Sequence, residues 1–272
     1  MFRFALRGTI EYLESGKFSV LDFLTHAFCT RIGGISRQPY DGLNVGDLVG
    51  DRKEDFLQNL EMLKDSFLIP AGRLILMKQI HGNRINFIDK GDPLPEEPPE
   101  CDGLITDRPG VALGIRTADC VPLLFVDRTR RVIGAAHAGW RGTALGIAAQ
   151  MVAIFKDRFS SRPEDIWVGI GPAIGSCCYE VDAPVLSVFS AMPDTGLFAG
   201  PSPKQDRWML DLSLANRLQM LAAGIPGENI QAVAHCTACR QDLFFSHRGS
   251  GGCTGRQISL IMLHGKDERK NA

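Results

Sequence analysis

The residues with the clearest capacity for chemistry are two histidines and one cysteine, each placed where an apolar segment meets a loop. His137 lies in AAHAGWRGTALGI (135–147), His81 follows LILMKQI, and Cys120 ends VALGIRTADC. Zinc prefers imidazole and thiolate ligands, and three protein ligands leave a fourth tetrahedral position open, as in catalytic rather than structural sites. A lone histidine at a strand end is more often structural, so the metal hypothesis depends on whether the three residues meet.

The turn between VPLLFVD and RVIGAAHA decides whether Cys120 and His137 face each other. Either a two-residue turn at Arg128–Thr129 or a four-residue loop at Asp127–Arg130 places Cys120 directly across from His137. Directly opposed residues share a face, with Cβ atoms about 4.5–5.5 Å apart. A three-residue loop would shift the register by one residue and weaken this geometry. The sequence therefore predicts a direct cross-strand pair, suited to a metal or to a thiolate–imidazolium pair.

The elements that must position these residues mix strand and helix patterns without a regular βαβ order. This favours an α+β fold with mixed or antiparallel sheets and flanking helices. The patterns predict strands at 73–81, 84–89, 101–138 (in four pieces), 166–171, 229–236 and 257–263. They predict helices at 51–67, 143–158, 182–192 and 211–223, and exposed loops at 91–100 and 193–206. We expect residues 1–272 to form a single domain.

Composition argues against several classes of protein. The 272 residues are 44% hydrophobic, and 30 Lys and Arg balance 31 Asp and Glu to a net charge of −1. That balance gives no electrostatic reason to expect a nucleic-acid or membrane partner. We recognise neither a signal peptide nor an apolar run of bilayer length. Eight cysteines without an export signal predict reduced thiols and a cytoplasmic location.

The other cysteines include two closely spaced pairs. Cys236 and Cys239 form one CxxC, a pattern that resembles half of a zinc or redox site but is weak without a second pair. We expect a structural role for it. Cys177 and Cys178 follow a glycine-rich turn, and we expect them to serve in packing.

Several segments, taken together and in order, resemble one known family. They are KQIHGN, CDGLITDRPGVALGIRTADCVPLLFVD, GAAHAGWRGT, GPAIGSCCYEV and CTACRQDLFFSHR, with TRIGGISRQPYDGLNVG (30–46) before them. These resemble the laccase-domain proteins, first described as multicopper polyphenol oxidases. Members are now treated as purine nucleoside phosphorylases with adenosine deaminase activity, and in some bacteria they are called peptidoglycan editing factors. The resemblance extends from about Phe28 to Leu263.

The resemblance implies a fold, a metal and a reaction. The fold would be α+β and related to a bacterial toxin deamidase domain of the Cys–His hydrolase type. Residue by residue, His81, Cys120 and His137 would be the metal ligands and catalytic residues, with Zn²⁺ expected and Cu²⁺ possible. The substrates would be phosphate and a purine nucleoside: adenosine, inosine or methylthioadenosine.

Three further residues are predicted to bind substrate. The GWRG turn precedes a predicted helix whose free N–H groups favour phosphate, and Arg141 adds a bidentate donor. Arg31 and Asn44, both in the 30–46 segment, are the other predicted contacts. Asp119, beside Cys120, is a candidate acid or base, although a structural role is the simpler interpretation.

Other functions compete with this prediction. A metal-free Cys–His hydrolase or amidase acting on cell-wall precursors would use Cys120 as nucleophile and His137 as base, which leaves His81 without a chemical task. A copper-dependent phenol oxidase would need several histidine-rich copper clusters, whereas the chain has six histidines in total. A non-enzymatic partner of other enzymes would show an exposed apolar patch. The oligomeric state does not follow from the sequence.

Overall fold

The computed structural model describes residues 1–47 and 49–265. Within these residues the strands are Phe2–Arg7 (β1), Ile10–Ser15 (β2), Leu24–Cys29 (β3), Leu74–Leu76 (β4), Ile85–Ile88 (β5), Gly103–Thr106 (β6), Ala112–Thr117 (β7), Val121–Asp127 (β8), Val132–Ala138 (β9), Ile166–Ile170 (β10), Glu180–Asp182 (β11), Ala199–Pro201 (β12), Arg207–Leu210 (β13), Ile230–Ala232 (β14) and Gln257–Leu263 (β15). The α-helices are Lys53–Ser66 (α1), Trp140–Ala144 (α2), Ile147–Phe159 (α3), Ala183–Ser187 (α4), Thr195–Phe198 (α5) and Leu212–Ala222 (α6). Short 3-10 helices occupy Pro163–Asp165 and Gly227–Asn229.

Two six-stranded sheets form the middle of the molecule. Sheet A has the spatial order β1-β2-β3-β15-β7-β4, and sheet B has the order β14-β10-β8-β9-β6-β5. Most neighbouring strands are antiparallel, but β4–β7, β5–β6 and β10–β14 are parallel. A small third sheet has the order β11-β13-β12. The predicted α+β class with mixed sheets is confirmed.

Apolar side chains fill the space between the two sheets and beneath the helices. Leu113 of sheet A and Leu124 of sheet B belong to the same buried cluster between the sheets. Phe155 of α3 packs on the outer face of sheet B, and Leu63 of α1 packs on sheet A. Because both faces of each sheet are covered, β8, β9 and β15 are buried along their whole length. This explains why these three strands are near-continuous apolar segments in the sequence.

Several predicted elements differ from the observed ones. The helix predicted at 143–158 is two helices, α2 and α3, separated at Gly146, whose φ of +77° suits the left-handed break. The helix predicted at 182–192 ends at Ser187, and the predicted loop at 193–206 contains α5 and β12. β12 exists because it pairs with β13, a tertiary contact that no local pattern reports.

The predicted register of the β8–β9 hairpin is wrong by two residues. His137 pairs with Pro122 rather than with Cys120. The hairpin closes later than predicted because the carboxylate of Asp127 accepts two backbone N–H groups of the loop, both at 2.8 Å. A shift of two residues keeps every side chain on its predicted face. Cys120 therefore lies just before β8, diagonal to His137 and on the same side.

Among the described residues, no helix is both long and apolar enough to cross a bilayer. The single domain at 1–272 stays a prediction, and its C-terminal end, residues 266–272, lies outside the described residues.

Candidate metal centre and adjoining cleft

The structure brings His81, Cys120 and His137 together. One ligand atom from each lies within 4.8 Å of the others. The two imidazole rings are nearly perpendicular, with centroids 4.8 Å apart and an interplanar angle of 88°. His137 is buried, Cys120 is half-buried and His81 is exposed. The cluster is therefore anchored in the protein on one side and reaches solvent on the other.

Cys120 is positioned by the residue before it. Asp119 has a φ of +91°, an unfavourable backbone conformation for a residue with a side chain. Its carboxylate accepts hydrogen bonds from the hydroxyls of Thr237 and Ser246, at 2.7 and 2.6 Å, and from the N–H of Arg248 at 2.6 Å. With three donors engaged, Asp119 stabilises the loop that carries Cys120, which agrees with the structural interpretation of this residue.

Asp102 positions the two histidines, and it was not predicted. Its carboxylate accepts a hydrogen bond from Nδ1 of His137 at 2.8 Å and from the N–H groups of His81 and Gly82 at 3.0 and 2.7 Å. This contact places the proton of His137 on Nδ1 and leaves Nε2 for the cluster. The available signal was an acidic residue directly before the apolar strand β6, because a buried carboxylate needs hydrogen-bonding partners.

Gly139 leaves room in the cluster. A Cβ at this position would lie 3.2 Å from Sγ of Cys120, 3.3 Å from Cδ2 of His81 and 3.7 Å from Cε1 of His137. The φ of Gly139 is −72°, so space rather than backbone conformation requires the glycine. Two imidazoles, one thiol and this space could hold a single metal ion.

The cluster strongly perturbs its own ionisation. Burial favours the neutral thiol of Cys120, but the charge of His137 and hydrogen bonds from both histidines lower the pKa of Cys120 to about 6. Burial disfavours the imidazolium of His137, yet the Cys120 thiolate and the Asp102 carboxylate raise the pKa of His137 to about 9. The site thus favours a thiolate, the form of cysteine that binds metal or acts as a nucleophile.

A cleft of about 620 Å³ opens beside the cluster, and His81 forms part of its wall. Lys78 pairs with Glu100 across the rim at 2.8 Å, and Arg116 pairs with Asp47 at 2.6 Å. The guanidinium of Arg256, also in the wall, donates only to the backbone carbonyls of Thr254 and Gly255 among the described residues. The cleft has the size of a small-molecule site and contains one guanidinium without a carboxylate partner in the described chain.

The predicted substrate contacts lie in different places. Arg31 lines a separate depression, where its guanidinium donates to Asp41 and to the carbonyl of Gln241 and lies 4.4 Å from the ring centroid of Phe245. Asn44 is fully buried, and its Oδ1 accepts the N–H groups of Gly46 and Arg256. Asn44 thereby holds together two segments of the cleft wall.

Arg141 is not among the residues that line this cleft. Its guanidinium is 4.1 Å from the ring centroid of Trp140, at the start of the short helix α2. Burial, and then the charge of Cys120, raise the pKa of Tyr179 to about 12, whereas Arg248 and Arg141 act in the opposite direction. Arg141 therefore lies within electrostatic range of Tyr179.

The fold and the site define a mixed α+β protein with an open His–Cys–His cluster beside a polar cleft. The chain belongs to the family described as multi-copper polyphenol oxidoreductase laccase, which matches residues 25–264. The resemblance found in the sequence motifs is confirmed.

Named relatives and solved structures agree with this membership. The chain is 42% identical over 239 residues to purine nucleoside phosphorylase YlmD of Geobacillus stearothermophilus, covering 85% of this chain and 87% of the relative. The crystal structure of YlmD from the same organism superposes with a TM-score of 0.88 at 37% identity, covering 97% of this chain and 99% of that one. The crystal structure of the Bacillus licheniformis hypothetical protein YfiH also gives a TM-score of 0.88 at 37% identity, with 96% and 98% coverage.

Proposed function

We propose that this protein is a metal-dependent purine nucleoside phosphorylase acting on adenosine, inosine or methylthioadenosine, with a second, deaminating activity on adenosine. The observation that carries the proposal is the convergence of His81, Cys120 and His137 beside a 620 Å³ cleft that His81 lines. The relatives named purine nucleoside phosphorylase support the substrate class.

His81, Cys120 and His137 would hold the ion, and zinc suits this mixed thiolate and imidazole set. Copper is the alternative, since divalent affinity generally favours copper over zinc. When bound, the ion would supply Lewis-acid activation at its open position. Asp102 fixes the orientation of His137 and the loop of His81, and the low pKa of Cys120 keeps this ligand ionised at neutral pH.

The nucleoside would occupy the cleft, and two arginines compete for the phosphate. Arg256 faces the cleft and has no carboxylate partner among the described residues, which suits an anion. Arg141, the predicted phosphate contact, does not line the cleft. We place phosphate at Arg256 and keep Arg141 as the alternative. Arg31 has no place in this cleft, and its role in substrate binding stays a prediction.

The test is a chromatographic assay of the purified full-length protein with adenosine and with inosine, each with and without phosphate. Phosphorolysis predicts free base and ribose 1-phosphate only when phosphate is present, while deamination predicts inosine and ammonia from adenosine without phosphate. Both products should disappear after chelation and return on addition of zinc. Turnover that persists in a chelated, metal-free sample would contradict the proposal.

A Cys–His hydrolase is a second candidate. It is favoured by the spatial arrangement in which His137 lies between Cys120 and Asp102. These residues resemble a nucleophile, a base and an orienting carboxylate, and the pKa of Cys120 is already lowered to about 6. This candidate predicts a covalent adduct at Cys120 in metal-free protein and no dependence of turnover on His81. A phenol oxidase is less well supported, since the cluster contains only two of the described histidines.

A further inference from the structure

Two cysteine pairs that are far apart in the sequence lie side by side at one end of sheet B. Cys177 and Cys178 follow β10, and Cys236 and Cys239 follow β14. The two strands are parallel neighbours, paired from Val168–Ile230 to Ile170–Ala232. The pairing continues beyond the strands, where Ala173 bridges Cys236 and the N–H of Thr237 donates to the carbonyl of Ala173 at 3.0 Å. Parallel strands end at the same edge, so both loops emerge together.

The four sulfur atoms form a compact cluster. All four lie within 4.8 Å of one another, and Sγ of Cys239 is 3.6 Å from Sγ of Cys177 and 3.4 Å from Sγ of Cys178. In a tetrahedral zinc site with Zn–S bonds of about 2.3 Å, neighbouring sulfurs are about 3.8 Å apart. All four cysteines are free, and Cys177 and Cys239 are exposed, so the predicted packing role does not describe this cluster.

The surrounding backbone is arranged for sulfur ligands. Sγ of Cys236 accepts the N–H of Gly175 at 3.2 Å and also the N–H of Cys239. A Cβ on Gly175 would lie 3.3 Å from Sγ of Cys177 and 3.3 Å from Cβ of Cys236. Glycine at this position therefore lets the two loops approach, while the N–H groups stabilise negative charge on sulfur.

We propose that Cys177, Cys178, Cys236 and Cys239 form a second metal site, a tetrathiolate site for Zn²⁺. Four thiols would release their protons to solvent as four Zn–S bonds form. With four protein ligands the site is closed, which makes it structural rather than catalytic. In the sequence, the CxxC of Cys236 and Cys239 is only a weak signal for a metal site. The fold brings it next to a second pair of cysteines, Cys177 and Cys178.

This site would also position the first cluster. The loop after β10 donates the N–H of Ile174 to the carbonyl of Asp119 at 2.9 Å. The loop after β14 donates the hydroxyl of Thr237 to the Asp119 carboxylate at 2.7 Å. A metal joining these two loops would stabilise the strained backbone of Asp119 and thereby the placement of Cys120.

Cobalt binding can test the tetrathiolate site in a variant whose His81–Cys120–His137 cluster has lost two of its ligands. The double variant His81→Ala, Cys120→Ser lacks two ligands of the first site, so Co²⁺ added to the metal-free protein should bind with one equivalent. It should show the charge-transfer and ligand-field bands of a tetrahedral tetrathiolate complex. Adding Cys239→Ser should weaken the charge-transfer bands and shift the ligand-field bands, because only three thiolates remain, whereas adding Cys253→Ser, an exposed cysteine outside the cluster, should change neither. Absence of the bands, or bands that Cys239→Ser leaves unchanged, overturns the proposal.

Thiol labelling of the unmutated protein provides a test that does not depend on a variant folding. In zinc-loaded protein, iodoacetamide should label Cys253 and spare Cys177 and Cys239. After removal of zinc by a chelator under reducing conditions, all three should be labelled at comparable rates. Labelling of Cys177 and Cys239 as fast as Cys253 before chelation overturns the proposal, as does a bound iron–sulfur chromophore in place of zinc.

Discussion

Asp102 and His137 contact each other twice, once through the backbone and once through the side chains. The N–H of His137 donates to the carbonyl of Asp102 at 2.8 Å, and Nδ1 of His137 lies 2.8 Å from the Asp102 carboxylate. The first contact belongs to the pairing of β6 with β9, so the ladder of sheet B itself sets the orientation of the ring. The same carboxylate accepts the N–H of His81, so one buried side chain positions two ligands.

Replacing Asp102 should therefore weaken metal binding. We expect Asp102→Asn to lower zinc affinity by about 10- to 100-fold, the usual effect of losing a carboxylate that orients a ligating histidine. Competition with a chromophoric chelator measures this. Asp165→Asn is the matched control, because Asp165 is also buried but pairs with Arg128 and Arg162. Equal affinities in the two variants would contradict the role assigned to Asp102.

Gly139 tests whether space in the cluster matters. Because its φ of −72° is accessible to alanine, Gly139→Ala should fold normally while its Cβ crowds Cys120 and His81. Overpacking costs about 1–3 kcal/mol, so we expect zinc affinity to fall roughly 10- to 100-fold. Calorimetric titration of zinc, with circular dichroism as a folding check, measures the change. Gly91→Ala, where the new Cβ would have no atom within 4 Å beyond its own residue and its chain neighbours, should bind zinc normally.

Kinetics can locate the phosphate. If phosphate contacts Arg256, Arg256→Gln should raise KM for phosphate by about tenfold or more, the effect of losing a charge-assisted hydrogen bond, and raise KM for inosine less. Arg141→Gln should have the smaller effect on phosphate. Arg158→Gln, which removes a surface partner of Asp89, is the control for loss of charge. A larger phosphate effect in Arg141→Gln would move the site to the GWRG turn.

The stability of the protein should depend on His26 in mild acid. His26 is buried and accepts the N–H of Ser15 at 2.8 Å; burial, with a smaller effect of Arg7, lowers the pKa of His26 to about 3. The unfolded chain takes up a proton below about pH 6.5, whereas the folded chain does so only near pH 3. Stability should therefore fall as pH decreases through this interval, by about 1.4 kcal/mol per pH unit.

The control for that prediction is His26→Gln, which keeps a hydrogen-bond acceptor but does not titrate. Urea unfolding at several pH values between about 6.5 and 3 should show a shallower decrease for His26→Gln than for the unmutated protein. Identical slopes would show that His26 is not the titrating group.

The ligand types and the long buried strands could be predicted because their signals are local. β8, β9 and β15 are mostly apolar and buried throughout, and His81, Cys120 and His137 each lie at or near the end of a segment with a strand pattern. The hairpin register could not be predicted, since it depends on how the side chain of Asp127 bonds to its own loop. The predicted register was wrong by two residues, but it still placed Cys120 and His137 on the same face, because side chains along a strand alternate with period two.

The remaining features depend on contacts between distant segments. The role of Asp102 follows from the pairing of β6 with β9, and the meeting of the two cysteine pairs follows from the parallel pairing of β10 with β14. The break at Gly146 is local, but a glycine in a helical pattern does not by itself say whether the helix ends there. In these two strand pairs the partnered residues are 27 to 33 and 62 positions apart, and such pairing left no trace in the patterns that predicted the strands themselves.

The three ligands of the first cluster differ in how firmly the protein holds them. His137 is fixed within a central strand, whereas His81 stands at the solvent side in a left-handed turn with a φ of +57°. An ion that leaves would then part from His81 first, while the two inner donors still retain it. We expect the turn around His81 to govern the speed of loading and release, and the sheet behind it to govern how tightly the ion is kept.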